Sequence, residues 1–317
     1  MKILLAGATG AVGRRLVPLL RAAGHEIAGL TRSPAKVDLL RRIGATPIVA
    51  DALDPAAVMS AVRQAKPEIV IHQLTSIPRN LYYRNFDREF ALTNRLRTEG
   101  TDNLLAAART AGVGRFIAQS FAGWSYAREG GAVKTEEDPL DPNPPPMFRR
   151  TLEAIRYLES AVTGQTALAG LVLRYGYFYG PGTAIDEHGS IVNDVRKRRT
   201  PIIGSGTGVW SFIHIDDVAR FTRAAVERGA PGVYNIVDDD PTPVSQWLPA
   251  LAEALGAKPP RRLPAWLARF MIGDAVVIMI DARGASNAKA KRTFGVNLIW
   301  PSWRDGFRTG LGDLSQA

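Results

Sequence analysis

The chain of 317 residues contains no cysteine, which excludes disulfides, thiolate metal sites and a cysteine nucleophile. Its four histidines are scattered, so a zinc cluster has no natural ligand set and no metal site is expected. Long apolar runs are missing as well. The best of them, from Leu263 to Ile280, is interrupted by Arg269 and Asp274. It falls short of a membrane span and reads as a buried or pocket-lining helix. There is no internal repeat, low-complexity tail or long linker. A first strand beginning at Lys2 leaves no signal peptide before it, and a cytoplasmic protein is expected.

Acidic residues are outnumbered, 30 Asp and Glu against 40 Lys and Arg, for a formal charge of +10. Such a field attracts polyanions, phosphorylated cofactors among them. The basic residues are spread along the chain, however. The densest run, Arg196 to Arg199, is short and has no aromatic residues interleaved. A nucleic-acid surface needs a clustered footprint, so no nucleic-acid partner is expected.

Regular alternation fills the first half. Apolar, β-branched runs occur at 2–7, 26–32, 46–53, 69–75, 115–122 and 171–180, with helical spacing between them at 11–23, 34–43, 55–65, 86–112 and 147–163. Strands alternating with helices predict right-handed βαβ units and an α/β, doubly wound parallel sheet covered on both faces. Beyond residue 180 the pattern loosens into loops, a strand leading into a helix near 212–227, a strand at 232–237 and Pro-bounded helices. The expected organisation is a nucleotide-binding part over 1–180, to which 211–238 returns, and a smaller part built from 181–210 and 239–317.

Directly after the first strand comes Gly7-Ala8-Thr9-Gly10-Ala11-Val12-Gly13, which opens the first helix. Glycine suits a sharp turn where a pyrophosphate must approach bare backbone amides, and the helix N-terminus adds positive partial charge. A dinucleotide site is expected there, with Gly7, Thr9, Gly10, Ala11 and Val12 around the phosphates. An NAD site usually carries a carboxylate at the end of the second strand. Here the sequence reads Gly29-Leu30-Thr31-Arg32-Ser33. Arg32 offers a cationic fork and Ser33 a hydroxyl to a 2′-phosphate, so NADP is favoured over NAD.

GATGAVG, IVIHQLTS, GTDNLLAAAR, LRYGYFYGPG, FIHIDDVAR and NAKAKRTFG occur in this order along nearly the whole chain. In these motifs the chain resembles the extended short-chain dehydrogenase/reductases of the NAD(P)-dependent epimerase/dehydratase type. The resemblance implies a Rossmann domain, a discontinuous C-terminal substrate part and a cleft between them. It places Asp51 and Ala52 near the adenine, Gln73, Leu74 and Thr75 along the ribose and nicotinamide, and Tyr175 to Phe178 at the nicotinamide end. It also implies a homodimer formed through the helices at 86–112 and 147–163.

Such enzymes typically pair a tyrosine with a lysine four residues on, which lowers the phenol's pKa so that it passes a proton while hydride moves. None of the eight tyrosines has a lysine at that spacing. Aligning Glu159 with the family's glutamate puts Thr151 and Ile155 in the two places; aligning Glu153 puts Pro145 and Arg149 there. Neither supplies a phenol. Tyr126, close after the fifth strand, is the first substitute acid, with Ser120 beside the family's serine position. Phe121, Trp124, Tyr177 and Tyr179 suggest a pocket more apolar than a sugar requires. Trp210-Ser211 stands where nucleotide-sugar enzymes commonly carry an arginine. His214 reads as structural, with Asp216 or Asp217 capping the next helix, and Asp238 to Asp240 as a solvated turn. The expected activity is that of an NADP-dependent oxidoreductase or epimerase-like enzyme acting on a small, partly apolar molecule through a non-standard site. The alternative is a non-catalytic NADP-binding redox sensor.

Overall fold

Each of the apolar runs becomes a strand of one parallel sheet. The structure is a computed structural model that describes residues 1–78 and 86–312. Its main sheet has seven strands: β1 (Lys2–Ala6), β2 (Glu26–Thr31), β3 (Thr46–Val49), β4 (Ile69–His72), β5 (Arg115–Phe121), β6 (Ala169–Tyr175) and β7 (Gly232–Ile236). They lie in the order β7-β6-β5-β4-β1-β2-β3, every pair parallel. The order reverses between β1 and β4, and in open sheets a ligand crevice forms at the carboxyl ends of such a pair. The fold is therefore the Rossmann-type doubly wound sheet.

Both faces are covered, which is why the strands are apolar on both sides. Helices α1 (Ala11–Ala22) and α6 (Ile215–Glu227) press Leu16, Val17, Val218 and Phe221 onto one face. Helices α2 (Pro55–Ala65), α4 (Glu99–Thr110) and α5 (Arg149–Thr163) press Val58, Leu104 and Leu158 onto the other. Pro18 lies on the exposed side of α1, and the helix runs through it.

The expected helix at 86–112 is three pieces, Phe86–Glu89, α3 (Ala91–Arg97) and α4. The break is at Thr98, whose hydroxyl donates back to the Asn94 carbonyl at 3.1 Å and whose backbone leaves helical values. The strand expected over 46–53 stops at Val49, because Asp51 folds over to accept the Leu53 amide. The apolar stretch 263–280 is also divided, by Gly273 at φ +62°. Its first half, Ala265–Ile272, leaves Trp266, Phe270 and Met271 exposed, so only the second half, Val276–Ile280, matches the buried expectation.

Past β6 the chain makes a short strand, Tyr177–Tyr179, paired in parallel with Phe212–His214. A second core of Trp210, Phe212, Trp247, Trp303 and Phe307 sits there, built from the looser part of the sequence. Residues 313–317 of the expected C-terminal part lie outside the described residues. The acid run Asp238 to Asp240 fastens this core to the sheet, contrary to its reading as a solvated turn. Asp238 is buried and accepts the amides of Asp240 and Trp303. Asp239 holds Asn287 and Lys291, and Asp240 holds Ser302 and Arg304.

Candidate cofactor and active site

The glycine loop is a cradle without room for side chains. At Gly7 φ is +96°, and a Cβ would meet the Gln73 carbonyl oxygen at 2.6 Å. At Gly13 a Cβ would meet the Gly7 oxygen at 2.5 Å, so strand and helix touch backbone to backbone. The Gly10 amide donates to the Gly7 carbonyl at 3.0 Å, closing the turn. Neither an acid nor a side-chain cap occupies the first turn of α1. Thr9, Ala11 and Val12 therefore frame amides free to face an anion, and the residues present fit a pyrophosphate.

Along the ends of β2 and β3 lie Arg32, Ser33, Asp51 and Ala52. Arg32 is exposed and has no bond to any described residue. The Ser33 amide donates to Thr31 Oγ1 at 3.2 Å, which turns the chain just after Arg32. Ala52 is anchored through its carbonyl by Asn103 at 2.9 Å. No acidic residue occupies the β2 end.

On the other side of the switch point, Gln73 is buried against Gly7 and donates to the Tyr175 hydroxyl at 2.9 Å. That hydroxyl also meets Thr222 at 2.7 Å. Burial pushes the Tyr175 phenol above its ordinary range, so it stays protonated and braces Gln73. Phe178 lies beside it with rings 5.6 Å apart. Leu74 and Thr75 are half-buried, and the Leu74 amide donates to His72 Nδ1 at 3.3 Å. Burial lowers the His72 pKa to about 4, and the nearby Arg97 adds to the effect against a bond to the Leu96 carbonyl. The imidazole is neutral at physiological pH.

Tyr126 does not reach the cleft. It is fully buried, donates to Asn235 Oδ1 at 2.5 Å, and accepts from Arg174 at 3.0 Å. Burial pushes its pKa up to about 12 despite Arg174. Arg174 in turn forks onto Glu159 at 2.8 and 2.6 Å, and Ser120 donates to the same carboxylate at 2.6 Å. Both candidate proton donors thus belong to one buried network joining β5, β6, β7 and α5. Arg174 and Asn235 are not among the residues read from the sequence, and Glu159 figures there only as the glutamate that sets the alignment. Their signal is charged or amide residues inside otherwise apolar strand and helix faces.

Phe121, Trp124 and Tyr177 do come together, half-buried, as an aromatic wall at the ends of β5 and β6. Phe121 meets Tyr177 edge-on at 5.2 Å, Tyr177 stacks on Trp210 at 3.9 Å, and Trp124 stacks on Phe148 at 4.7 Å. Tyr179 is not part of it. It is completely buried against Phe212, His214 and Phe307, under Gly306. His214 is itself the N-cap of α6, accepting the Asp216 amide at 3.2 Å, whereas Asp217 holds the amides of Ile299 and Trp300. Asp216 pairs with Arg15 of α1.

At the start of α5, Thr151 and Ile155 are both 1% exposed. Thr151 Oγ1 accepts from Asn94 at 3.1 Å and lies 3.4 Å from Asp87. Neither position is a tyrosine or a lysine. Among the tyrosines, Tyr126, Tyr175, Tyr179 and Tyr234 are shifted upward by burial, and Tyr157 by its bond to Asp102.

The model of the NAD dependent epimerase/dehydratase family matches residues 3–237. The chain is 44% identical over 308 residues to the 3-diazoavenalumate denitrifying reductase of a Streptomyces species, covering 96% of this chain and 99% of that protein. It is similar to the UDP-glucose 4-epimerase of Thermotoga maritima solved with UDP-glucose, with a TM-score of 0.76, 25% identity, and 98% and 97% of the two chains covered. A human epimerase family protein solved with NADPH shares the fold, with a TM-score of 0.74, 18% identity, and 98% and 99% covered.

Proposed function

The chain belongs to the NAD dependent epimerase/dehydratase family, and from that premise we propose that it is an NADPH-dependent reductase of a small, aromatic or conjugated electrophile whose reduction needs no phenol as proton donor. The observation that carries this reading is the site at α5, where Thr151 and Ile155 are buried and neither is a proton donor of useful pKa. Bound across the glycine loop and Arg32, the reduced cofactor supplies a hydride. Hydride added to a carbonyl leaves an alkoxide that must be protonated, which is the task of the absent tyrosine. A diazo compound is different. At its diazonium carbon a C–H bond forms, the C–N bond breaks, and dinitrogen leaves with that bond's electron pair. No oxyanion develops at the reacting carbon. A neutral diazo compound takes up one proton besides, and solvent suffices for it. The name of the 44% identical relative describes a reductive loss of nitrogen from a diazo carboxylate.

The chain's own contribution is binding and exclusion of water. Phe121, Trp124 and Tyr177 present flat apolar surface for a conjugated ring system. Tyr175 and Thr222 hold Gln73 in place, and Gln73 and Leu74 border the nicotinamide end. We place Tyr126 and Ser120 in the supporting network, as positioning residues. The working molecule in this reading is a cytoplasmic homodimer joined through the helices at 86–112 and 147–163, where Tyr157 and Asp102 lie on the outer surface.

The test is a coupled measurement on purified protein with NADPH and an aromatic diazo carboxylate. Loss of NADPH absorbance with one dinitrogen released per NADPH oxidised is expected. NADPH oxidised only with ketones, or with no substrate of either kind, sinks the reading. In the latter case, tighter binding of one redox form of the cofactor favours the sensor alternative.

A further inference from the structure

One cation beside the cleft has no anion of its own. Arg97 ends α3 and is 6% exposed, and its guanidinium has neither a hydrogen bond nor an ion pair among the described residues. Its Nη1 is buried without an acceptor. A charged donor left unsatisfied in the interior is costly, so it persists where a partner arrives in the working state.

The neighbours fix where this guanidinium lies. His72 ends β4, and its Nε2 meets the carbonyl of Leu96 at 3.2 Å, one residue before Arg97. The next residue on the β4 side, Gln73, abuts Gly7 of the phosphate loop. Asn94, one turn before Arg97, donates to Thr151 on α5, and Arg97 is within electrostatic reach of Glu159, two turns beyond Thr151. Arg97 therefore lies where α3 packs on α5, within electrostatic reach of Glu159 and of His72 at the carboxyl end of β4. Glu159 cannot neutralise it. Both its oxygens are bonded to Arg174 and one also to Ser120, so the cluster holds two guanidiniums against one carboxylate, with His72 neutral. Burial pulls the Arg97 pKa down to about 10, against the attraction of Glu159, and leaves it charged at neutral pH.

We propose that Arg97 holds the ribose on the nicotinamide side of the bound dinucleotide, its guanidinium fork donating to the vicinal diol. This rests on the dinucleotide reading above. The phosphates are met by the glycine loop and α1, and the 2′-phosphate by Arg32, all on the β1 and β2 side of the switch point. The other half of the cofactor would then cross the ends of β4 and β5, where Ile155 offers no donor. A planar fork with several N–H groups suits two adjacent oxygens better than a single ammonium does.

The experiment compares full-length wild type, Arg97→Met, Arg97→Lys and Arg32→Ala by calorimetric titration with two ligands, NADPH and adenosine 2′,5′-bisphosphate, which lacks the nicotinamide ribose. Arg97→Met should weaken NADPH by about tenfold to a hundredfold and leave the bisphosphate unchanged. Arg97→Lys should recover part of the loss, and Arg32→Ala should weaken both ligands. Melting curves establish that each variant is folded; if the Met variant is not, the Lys variant carries the same comparison. The proposal is overturned if NADPH binds the Arg97 variants as tightly as wild type. It is also overturned if both ligands weaken alike, or if only the KM of the diazo substrate rises, which would give Arg97 to a substrate oxygen. Wild type that binds neither ligand would refute the cofactor reading itself, an outcome distinct from all of these.

Discussion

At the scale of single residues, the cofactor choice comes down to Arg32. It is exposed, has no bond to any described residue, and is placed at the end of β2 where no carboxylate follows in the chain. Arg32→Ala should weaken NADPH by about tenfold or more while leaving NADH within a factor of about two, since only the former carries the 2′-phosphate. Equal losses for both would remove the preference. His72 makes a second case, in stability. Its folded pKa of about 4 lies below the unfolded value of 6.5, chiefly through burial. A base depressed in this way contributes stability that is fully present above pH 6.5 and lost as pH falls toward 4, on the order of 3 kcal/mol. His72→Gln should therefore flatten the fall of Tm between pH 7 and pH 4. A variant whose acid sensitivity equals that of wild type would show that another group governs it.

At the scale of elements, the strands were legible and the polar links between them were not. Runs such as KILLA and AGLVL send apolar residues to both faces, and only a sheet covered on both sides satisfies that pattern. The glycine loop was legible for a similar reason, because its glycines leave no space for a Cβ. Tyr126 closely follows β5, and by sequence distance alone it belongs at the cleft. What sequence distance does not show is that Asn235 and Arg174, from β7 and β6, converge on its hydroxyl. Arg97 is legible in principle: in the single helix expected over 86–112 its spacing puts it in one stripe with Thr101, Leu104 and Ala108, all of them buried. The network makes a clear prediction. Glu159→Gln leaves Arg174 without its counter-charge and should cost about 3–5 kcal/mol, a fall in Tm on the order of 10 °C for a chain of this size. Tyr126→Phe should lower Tm by less and retain turnover per folded molecule within a factor of about three, as a supporting residue would. A loss of turnover beyond a hundredfold in a folded Tyr126→Phe protein would return that phenol to the chemistry.

At the scale of the molecule, the two faces of the sheet and the aromatic C-terminal core are separate hydrophobic clusters, and the cleft wall depends on how they are joined. The join is the acid run after β7. Asp238 is 1% exposed, and its carboxylate accepts the Trp303 amide at 3.0 Å and the Asp240 amide at 3.2 Å. Burial nevertheless raises its pKa well above 3.8, against those two bonds and with Asp240 and Asp239 adding repulsion. An acid whose folded pKa is raised binds its proton more tightly when folded. Its contribution to stability is therefore complete below the unfolded value of 3.8 and is lost as pH rises through the folded one. Asp238→Asn cannot titrate and lacks this dependence, though it gives up an acceptor toward one of the two amides. The Tm of wild type minus that of Asp238→Asn should accordingly become more positive as pH is lowered from 8 toward 5, read by calorimetry at fixed ionic strength. A difference independent of pH would mean that Asp238 is ionised and fully compensated by its two amides. The acid run would then be a plain hydrogen-bonded clamp, with no proton linkage between the sheet and the aromatic C-terminal core.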